Sequence, residues 1–377
     1  MQAGPDLRSE TFLQPLAAAG YERCAPKILQ PASVFLDLSG EDMRGRLLLT
    51  SDGNGGDFCL RPEFTIPVSL AYLASPQAGA AASYCYYGQV FRHRPGHEPE
   101  AMQAGLESFG RADREAADAE ILSLALETAS RGGAREWRIR IGDAGLLSAL
   151  LARLDLPAVW LRRIRSGLAK GQKLAEVLNF AARDRKADHS GVLAALDGVD
   201  KPGARALVED LLRIAGISTV GGRTAGEIAE RFLEQAALQA GTGLDDAKRG
   251  LLEQFFAIEG DPDAASTALR GLFAAAQVDL GAEMDAFDQR LNFMAARGVD
   301  MGAVRFAASF ARNLDYYTGF VFEASDKHAT DTQPAIGGGR YDRLLATLGA
   351  KGDIPAVGAA LWIDQLGEAP SQGQQSQ

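Results

Sequence analysis

In the run Glu100-Ala101-Met102-Gln103-Ala104-Gly105-Leu106-Glu107-Ser108-Phe109-Gly110, strand alternation puts Gln103, Gly105 and Glu107 on one face. Met102, Ala104 and Leu106 fall on the other, which is apolar and reads as buried. The polar face offers an amide and a carboxylate on either side of a residue without a side chain, where a small ligand can approach the backbone. That pair suits an ammonium group or an imidazole N–H. It equally suits an edge strand facing water. Tyr316 to Glu323 repeats the pattern, with Tyr317, Gly319, Val321 and Glu323 sharing a face after Arg312-Asn313-Leu314-Asp315. Taken alone, this second run also fits a surface ion pair beside core tyrosines.

Further segments carry polar groups near glycine or proline. Leu60-Arg61-Pro62-Glu63-Phe64-Thr65 has a carboxylate and a hydroxyl two residues apart, although Arg61 and Glu63 could be a strand-end ion pair. Gly88-Gln89-Val90-Phe91-Arg92-His93-Arg94-Pro95-Gly96 ends a strand on an arginine. His97 and Glu98 follow in a loop, but no nucleophile or metal-ligand partner accompanies them, which favours a solvated histidine over a catalytic one. Gly337-Gly338-Gly339-Arg340-Tyr341-Asp342 lacks the Lys-Ser/Thr of a phosphate loop and matches no dinucleotide pattern.

Taken together, Arg312-Asn313-Leu314-Asp315-Tyr316-Tyr317-Thr318-Gly319, Gly338-Gly339-Arg340-Tyr341-Asp342 and the closing Trp362-Ile363-Asp364-Gln365-Leu366 resemble the amino-acid-binding core of histidyl-tRNA synthetases. The resemblance implies roles for particular residues. Arg312 would meet the histidine carboxylate, Glu63 and Thr65 its α-amino group, and Gln103, Glu107, Tyr317 and Tyr341 the remainder, with Tyr341 closing the imidazole side. Phe64 stands where the family has glycine. Arg92 takes the place of the motif 2 arginine that binds the ATP α-phosphate, and Pro26, in a degenerate motif 1, that of the dimer-interface proline.

The sequence also departs from the enzymes. Gln365 stands where the third motif ends in an ATP-gripping arginine, and Pro99-Glu100-Ala101-Met102-Gln103 replaces Arg-Glu-Phe-His-Gln. Only Gly367 to Gln377 follow where an anticodon-binding domain is expected. Adenylation must hold a bent polyanionic nucleotide, and arginine supplies both charge and a fixed fork of donors. Losing one preorganised transition-state donor costs ~10²–10³ in rate. A histidine pocket without these groups is similar to the regulatory subunits of ATP phosphoribosyltransferase, paralogues of the synthetase. That family implies histidine as ligand, a short-form ATP phosphoribosyltransferase catalytic subunit as partner, and a homodimer within a hetero-octamer. It implies no catalytic residue, cofactor or metal, and no tRNA. Two other readings stay open: a truncated paralogue that activates an amino acid for a non-tRNA acceptor, and an RNA-binding protein.

Positioning these residues requires a mixed α and β chain. Ser9–Ala19, Ile66–Ala74 and Arg114–Ser130 read as helices, and Ser83–His93 and Ala101–Gly110 as strands. Leu47–Thr50 and Asp57–Arg61 flank a turn-rich segment and predict a hairpin. From Asp143 to Val299 the pattern is nearly all helical, and Thr224 to Glu227 has capping-box spacing at the head of one helix. Strand character returns from Val304 to Ala324 and from Gly358 to Ile363. The expectation is therefore an α+β fold with a class II aminoacyl-tRNA synthetase-like antiparallel sheet flanked by helices. Residues 1–142 and 300–366 form the two halves of the core, 143–299 a helical insertion, and 367–377 a polar disordered tail.

Composition is consistent with that fold. At 377 residues and 46% hydrophobic, the chain can bury a large core. A net charge of -10 disfavours a nucleic-acid partner. Three cysteines, Cys24, Cys59 and Cys85, without a CxxC pair, argue against a disulfide framework or zinc site and fit a reduced cytoplasm. No signal-peptide pattern and no membrane-length apolar run is visible in the sequence.

Overall fold

The computed structural model describes residues 7–36, 45–52, 55–93, 96, 98–133, 136–169, 172, 174–178, 206, 210, 219–220, 223–224, 244–310, 316–328 and 333–366. The chain divides into two compact units, Met1–Ala149 with Ala257–Gln377, and Leu150–Phe256.

The first unit is built on nine strands. In chain order, the strands named here are β1 (Glu22–Arg23), β2 (Leu29–Pro31), β3 (Leu49–Ser51), β4 (Asp57–Leu60), β5 (Ala82–Phe91), β6 (Glu100–Phe109) and β7 (Trp137–Asp143). After β8 (Thr219–Val220) and β9 (Arg223–Thr224) come β10 (Glu259–Gly260), β11 (Val304–Ala307), β12 (Phe320–Asp326), β13 (Ile336–Arg340) and β14 (Ala356–Trp362). The large sheet runs β1-β5-β6-β14-β13-β12-β7-β11-β10, and β2-β4-β3 form a separate small sheet that includes the expected hairpin. The large sheet is antiparallel except at β1–β5 and β11–β7, in agreement with the expected antiparallel class II synthetase-like sheet. β6 lies between β5 and β14, which excludes the edge-strand reading.

Helices cover one face of this sheet. Arg114–Arg131 packs across β6, β13 and β14, and Gly281–Ala296 packs on that helix. Pro262–Ala275 starts where the Asp261 carboxylate accepts the amides of Asp263 and Ala264, each at 3.1 Å, with proline in the first turn. Its buried stripe is Ala265, Leu269 and Phe273, at four-residue spacing. A buried ion network ties Gly281–Ala296 to the sheet. Arg290, from Gly281–Ala296, donates from Nε to Asp118 at 2.9 Å and from Nη1 to Asp143 at 2.8 Å. Asp118 also accepts from Arg340 Nε at 2.9 Å, and Arg340 Nη1 donates to Asp342 at 2.9 Å. All five side chains are buried.

The second unit contains the helices Ala158–Ala169 and Leu174–Leu178, pinned where Arg163 Nε donates to the Val177 carbonyl at 2.7 Å. It also holds the β8–β9 pair. Thr224, read as a helix cap, ends β9; the helix expected after it lies outside the described residues, as does 367–377. No described helix is long and apolar enough to cross a membrane.

Removing one partner from a buried charge network leaves the other without compensation, at a cost of about 3–5 kcal/mol. Arg290→Ala should therefore lower stability by about that amount, read from urea unfolding followed by circular dichroism. A loss below ~1 kcal/mol would show that the network is not holding helix and sheet together.

Candidate functional site

The sheet face opposite those helices carries the site. Register aligns one row across it: Tyr84, Glu107, Gly358, Gly339, Val321 and Gly142. The next row is Tyr86, Gly105, Ala360, Gly337, Glu323 and Arg140. Small residues therefore floor the middle of the face, and larger polar groups stand at its sides.

Glu107 is the centre of the cluster. It is 1% exposed, and it accepts hydrogen bonds from the Tyr341 hydroxyl and, at 3.3 Å, from the Tyr86 hydroxyl. A Cβ on Gly358 would overlap Glu107 Oε2, so only glycine opposite it leaves room for the carboxylate. Burial pushes the Glu107 carboxyl up to about 8; hydrogen bonds from Tyr341, Thr65 and Tyr86 oppose that rise, and the charge of Glu63 adds to it. Glu63 accepts the amides of Thr65 at 2.6 Å and Ile66 at 2.9 Å at the head of helix Thr65–Leu73. Burial raises the Glu63 carboxyl too, against these amide bonds and the nearby charge of Arg92. The Thr65 hydroxyl lies near both carboxylates and counters the rise in each.

Of the residues singled out from sequence, Glu63, Thr65, Glu107 and Tyr341 meet directly, and Tyr317 packs beside Gly339, 2.9 Å from where a Cβ would stand. Gln103 lies on the same strand face, 2% exposed, and its Oε1 finds no hydrogen-bond donor among the described residues. Arg92 is half-buried, with its guanidinium 4.9 Å from the Trp362 ring centre. Arg312, with Asn313 to Asp315, lies outside the described residues, as do Arg94, Pro95 and His97. Pro26 is half-buried, and its carbonyl accepts from Arg61 Nη1 at 2.5 Å. Gln365 sits half-buried in a short 3-10 turn, Ile363–Gln365. No group of histidine, cysteine or acidic residues among those described could hold a metal ion.

Two sequence readings change. The gap over Gly105 is not open to a ligand: a Cβ there would strike the Tyr86 hydroxyl. Tyr86 lies over it because Phe64 stacks on its ring, with centroids 4.4 Å apart and planes at 9°. Arg61 covers the ring of Phe64 at 4.0 Å, so the phenylalanine that departs from the family motif is the filling of a three-layer stack. Second, β12 begins only at Phe320, and Gly319 faces the Arg340 side chain rather than sharing a face with Tyr317. The Gly337–Gly339 triplet, which matches no phosphate loop, lies in β13 in the sheet centre. Tyr86 was not anticipated. The alternation Tyr84-Cys85-Tyr86 would put two phenols on one face, but only the register reveals that they face Glu107.

The family model for histidyl-tRNA synthetase matches residues 7–219 and 203–366. An ATP phosphoribosyltransferase regulatory subunit from Allorhizobium ampelinum is 38% identical over 358 residues, 94% of this chain and 95% of that one. Another, from Mesorhizobium japonicum, is 40% identical over 349 residues, 90% and 91% of the two chains. The chain belongs to the ATP phosphoribosyltransferase regulatory subunit family. The fold agrees with this. A solved ATP phosphoribosyltransferase regulatory subunit/histidyl-tRNA synthetase from Bacillus halodurans matches with a TM-score of 0.65 at 20% identity, over 97% of this chain and 79% of that one. A histidine–tRNA ligase subunit from Alicyclobacillus acidocaldarius matches at 0.56 and 26% identity, over 97% and 94%. In this family member Gln365 is half-buried, Arg92 lies over Trp362, and Glu107 on β6 is lined by Tyr86 and Tyr341.

The titration of Glu107 has a stability consequence. Its folded value of about 8 exceeds the ordinary value of 4.5. The folded chain therefore holds a proton that the unfolded chain has released. The stability contribution is fully present below about pH 4.5 and is lost as pH rises to about 8, by up to ~1.4 kcal/mol per unit. Glu107→Gln should remove that loss. Its advantage over wild type in urea unfolding should grow between about pH 5 and 8 and then level off. An advantage that does not change with pH would contradict the assignment.

Proposed function

We propose that this chain is a non-catalytic regulatory subunit that binds L-histidine and confers histidine feedback on a short-form ATP phosphoribosyltransferase, the first step of histidine biosynthesis. The observation that carries the reading is the meeting of Glu63, Thr65, Glu107 and Tyr341 on a small-residue floor, beside the unpartnered acceptor of Gln103. Two carboxylates suit the ligand's ammonium group and one imidazole N–H. Gln103 offers the acceptor for a further donor, Tyr317 and Tyr341 line the ring, and Arg312 takes the carboxylate. The change to Gln365 supports the absence of catalysis, because it keeps a donor and loses the charge that adenylation needs.

A pocket without chemistry of its own can act only through a partner with two states of unequal histidine affinity. Reciprocity then requires that a substrate favouring the active state weaken histidine binding by the same factor, typically 5–150-fold. The exposed apolar residues Ile28 and Leu29, just after Pro26, and Leu49, in the same small sheet as Leu29, support a homodimer, which would join the catalytic subunit in a closed hetero-oligomer.

Calorimetry should detect L-histidine binding by the full-length chain. Glu107→Ala should weaken it by about 1.5–3 kcal/mol, because a charged acceptor is removed from a buried site. Absence of histidine heat, with and without the catalytic subunit, sinks the reading.

Mixing with a short-form ATP phosphoribosyltransferase should give a larger species in gel filtration, and should raise phosphoribosyl transfer and make it histidine-sensitive. The chain alone should give only background histidine-dependent exchange of pyrophosphate into ATP. Unchanged sizes together with an unchanged rate would refute the partnership, and robust exchange would refute the lack of catalysis.

A further inference from the structure

Glu63 and Glu107 come from different parts of the chain, the head of helix Thr65–Leu73 and the middle of β6, yet each acts on the other and the hydroxyl of Thr65 acts on both. The groups that face them are mostly neutral donors. Tyr86 from β5 and Tyr341 beyond β13 donate to Glu107. Tyr316 lies near Thr65 and has Tyr317 edge-on at 4.9 Å, and burial and the two carboxylates keep the Tyr316 phenol protonated. Among the described residues, Arg92 bears on Glu63 and is also engaged with the Trp362 ring. Two negative charges so placed, with a cation beside Glu63 and neutral phenols on the buried Glu107, repel each other more than these described groups compensate.

We propose that the ligand-free site keeps one proton on the Glu63–Glu107 pair and releases it to solvent when a ligand ammonium group enters. This rests on the histidine reading above and adds a proton to its binding equilibrium. The carboxylic O–H bond breaks, the proton passes to buffer, and the incoming ammonium supplies the positive charge that the proton had supplied. No electron moves, and the charge of the site is conserved. The proton belongs to the pair rather than to one residue, since strongly coupled groups titrate together. Thr65 and Tyr86 then act as positioning residues: one places its hydroxyl beside both carboxylates, and the other is kept upright by its stack on Phe64.

Linkage gives the size of the effect. If one proton leaves per ligand bound, histidine affinity should rise up to about tenfold per pH unit between roughly pH 6.5 and 8. In this range the free imidazole is largely neutral, with its ordinary value near ~6.5, and the α-amino group is still protonated.

Two measurements on the full-length chain separate this proposal from the histidine reading. Carbon-13 spectra of glutamate-labelled, ligand-free protein should contain a carboxyl resonance titrating above about pH 7, which Glu107→Gln removes. Calorimetry with L-histidine at neutral pH, repeated in buffers of different ionisation enthalpy, should report release approaching one proton in wild type and much less in Glu107→Gln. If the resonance titrates entirely in the ordinary carboxylate range, or if the heat of histidine binding is independent of buffer, the proposal is overturned. Failure of histidine to bind, with the titrating resonance present, instead refutes histidine as the ligand and leaves the shared proton standing.

Discussion

Arg290 and Arg340 share Asp118, and through it four separate segments of chain are fixed to one another. Asp118 lies within the apolar stripe of the long helix, and both of its oxygens are taken, one by each arginine. Arg340 then reaches the Arg114 carbonyl at 2.9 Å and Asp342, which accepts the Ala356 amide at 2.8 Å at the start of β14. Arg290 also reaches Asp143, whose other oxygen accepts the amides of Gly145 and Leu146 at 2.8 and 3.1 Å. Every buried charge here has more than one partner, the condition under which such a network fixes geometry rather than merely costing desolvation.

The relation of this network to the site is set by strand alternation. Arg340 turns toward the helices and Tyr341, the next residue, toward Glu107, so the motif Gly-Gly-Arg-Tyr-Asp serves both faces of the sheet. The arginine clamps β13 from behind while the tyrosine meets the site from the front. A change at Asp118, with no contact to the site, would still move Tyr341 through Arg340. The cluster is thus held by neighbours that share no chemistry with any ligand.

Much of this architecture was legible in the sequence where its cause is local. Periodicity found the Arg114–Arg131 helix, and alternation put Gln103 and Glu107 on one side of β6 with Leu106 on the other. What pattern could not supply was register. Tyr86 over Gly105, and Gly358 opposite Glu107, depend on how strands far apart in the chain align. The ion network was invisible for the same reason, because Asp118, Arg290 and Arg340 are brought together only by the fold. β7 was missed because Trp137-Arg138-Ile139-Arg140-Ile141 alternates basic and apolar residues amid helical signals, although its pattern is that of a strand with one buried face. The helix Gly281–Ala296 resembles any other in sequence; only the fold shows that Arg290 and Phe287, edge-on to Phe306 of β11, join it to the sheet.

The pairing of β6 with β14 has a further consequence for the life of the chain. Glu107 is made early in synthesis, but its neighbour Gly358 and its donor Tyr341 leave the ribosome much later. Until they do, β6 has one strand edge without its partner, and the nascent protein carries an unpaired template of the kind that invites mispairing. Long-range pairing of this sort also slows folding, since the loop must close before the contact rewards it. The acidic cluster therefore does not exist in any folding intermediate that lacks the last strand, and a ligand that requires it can recognise only chains whose sheet is already closed.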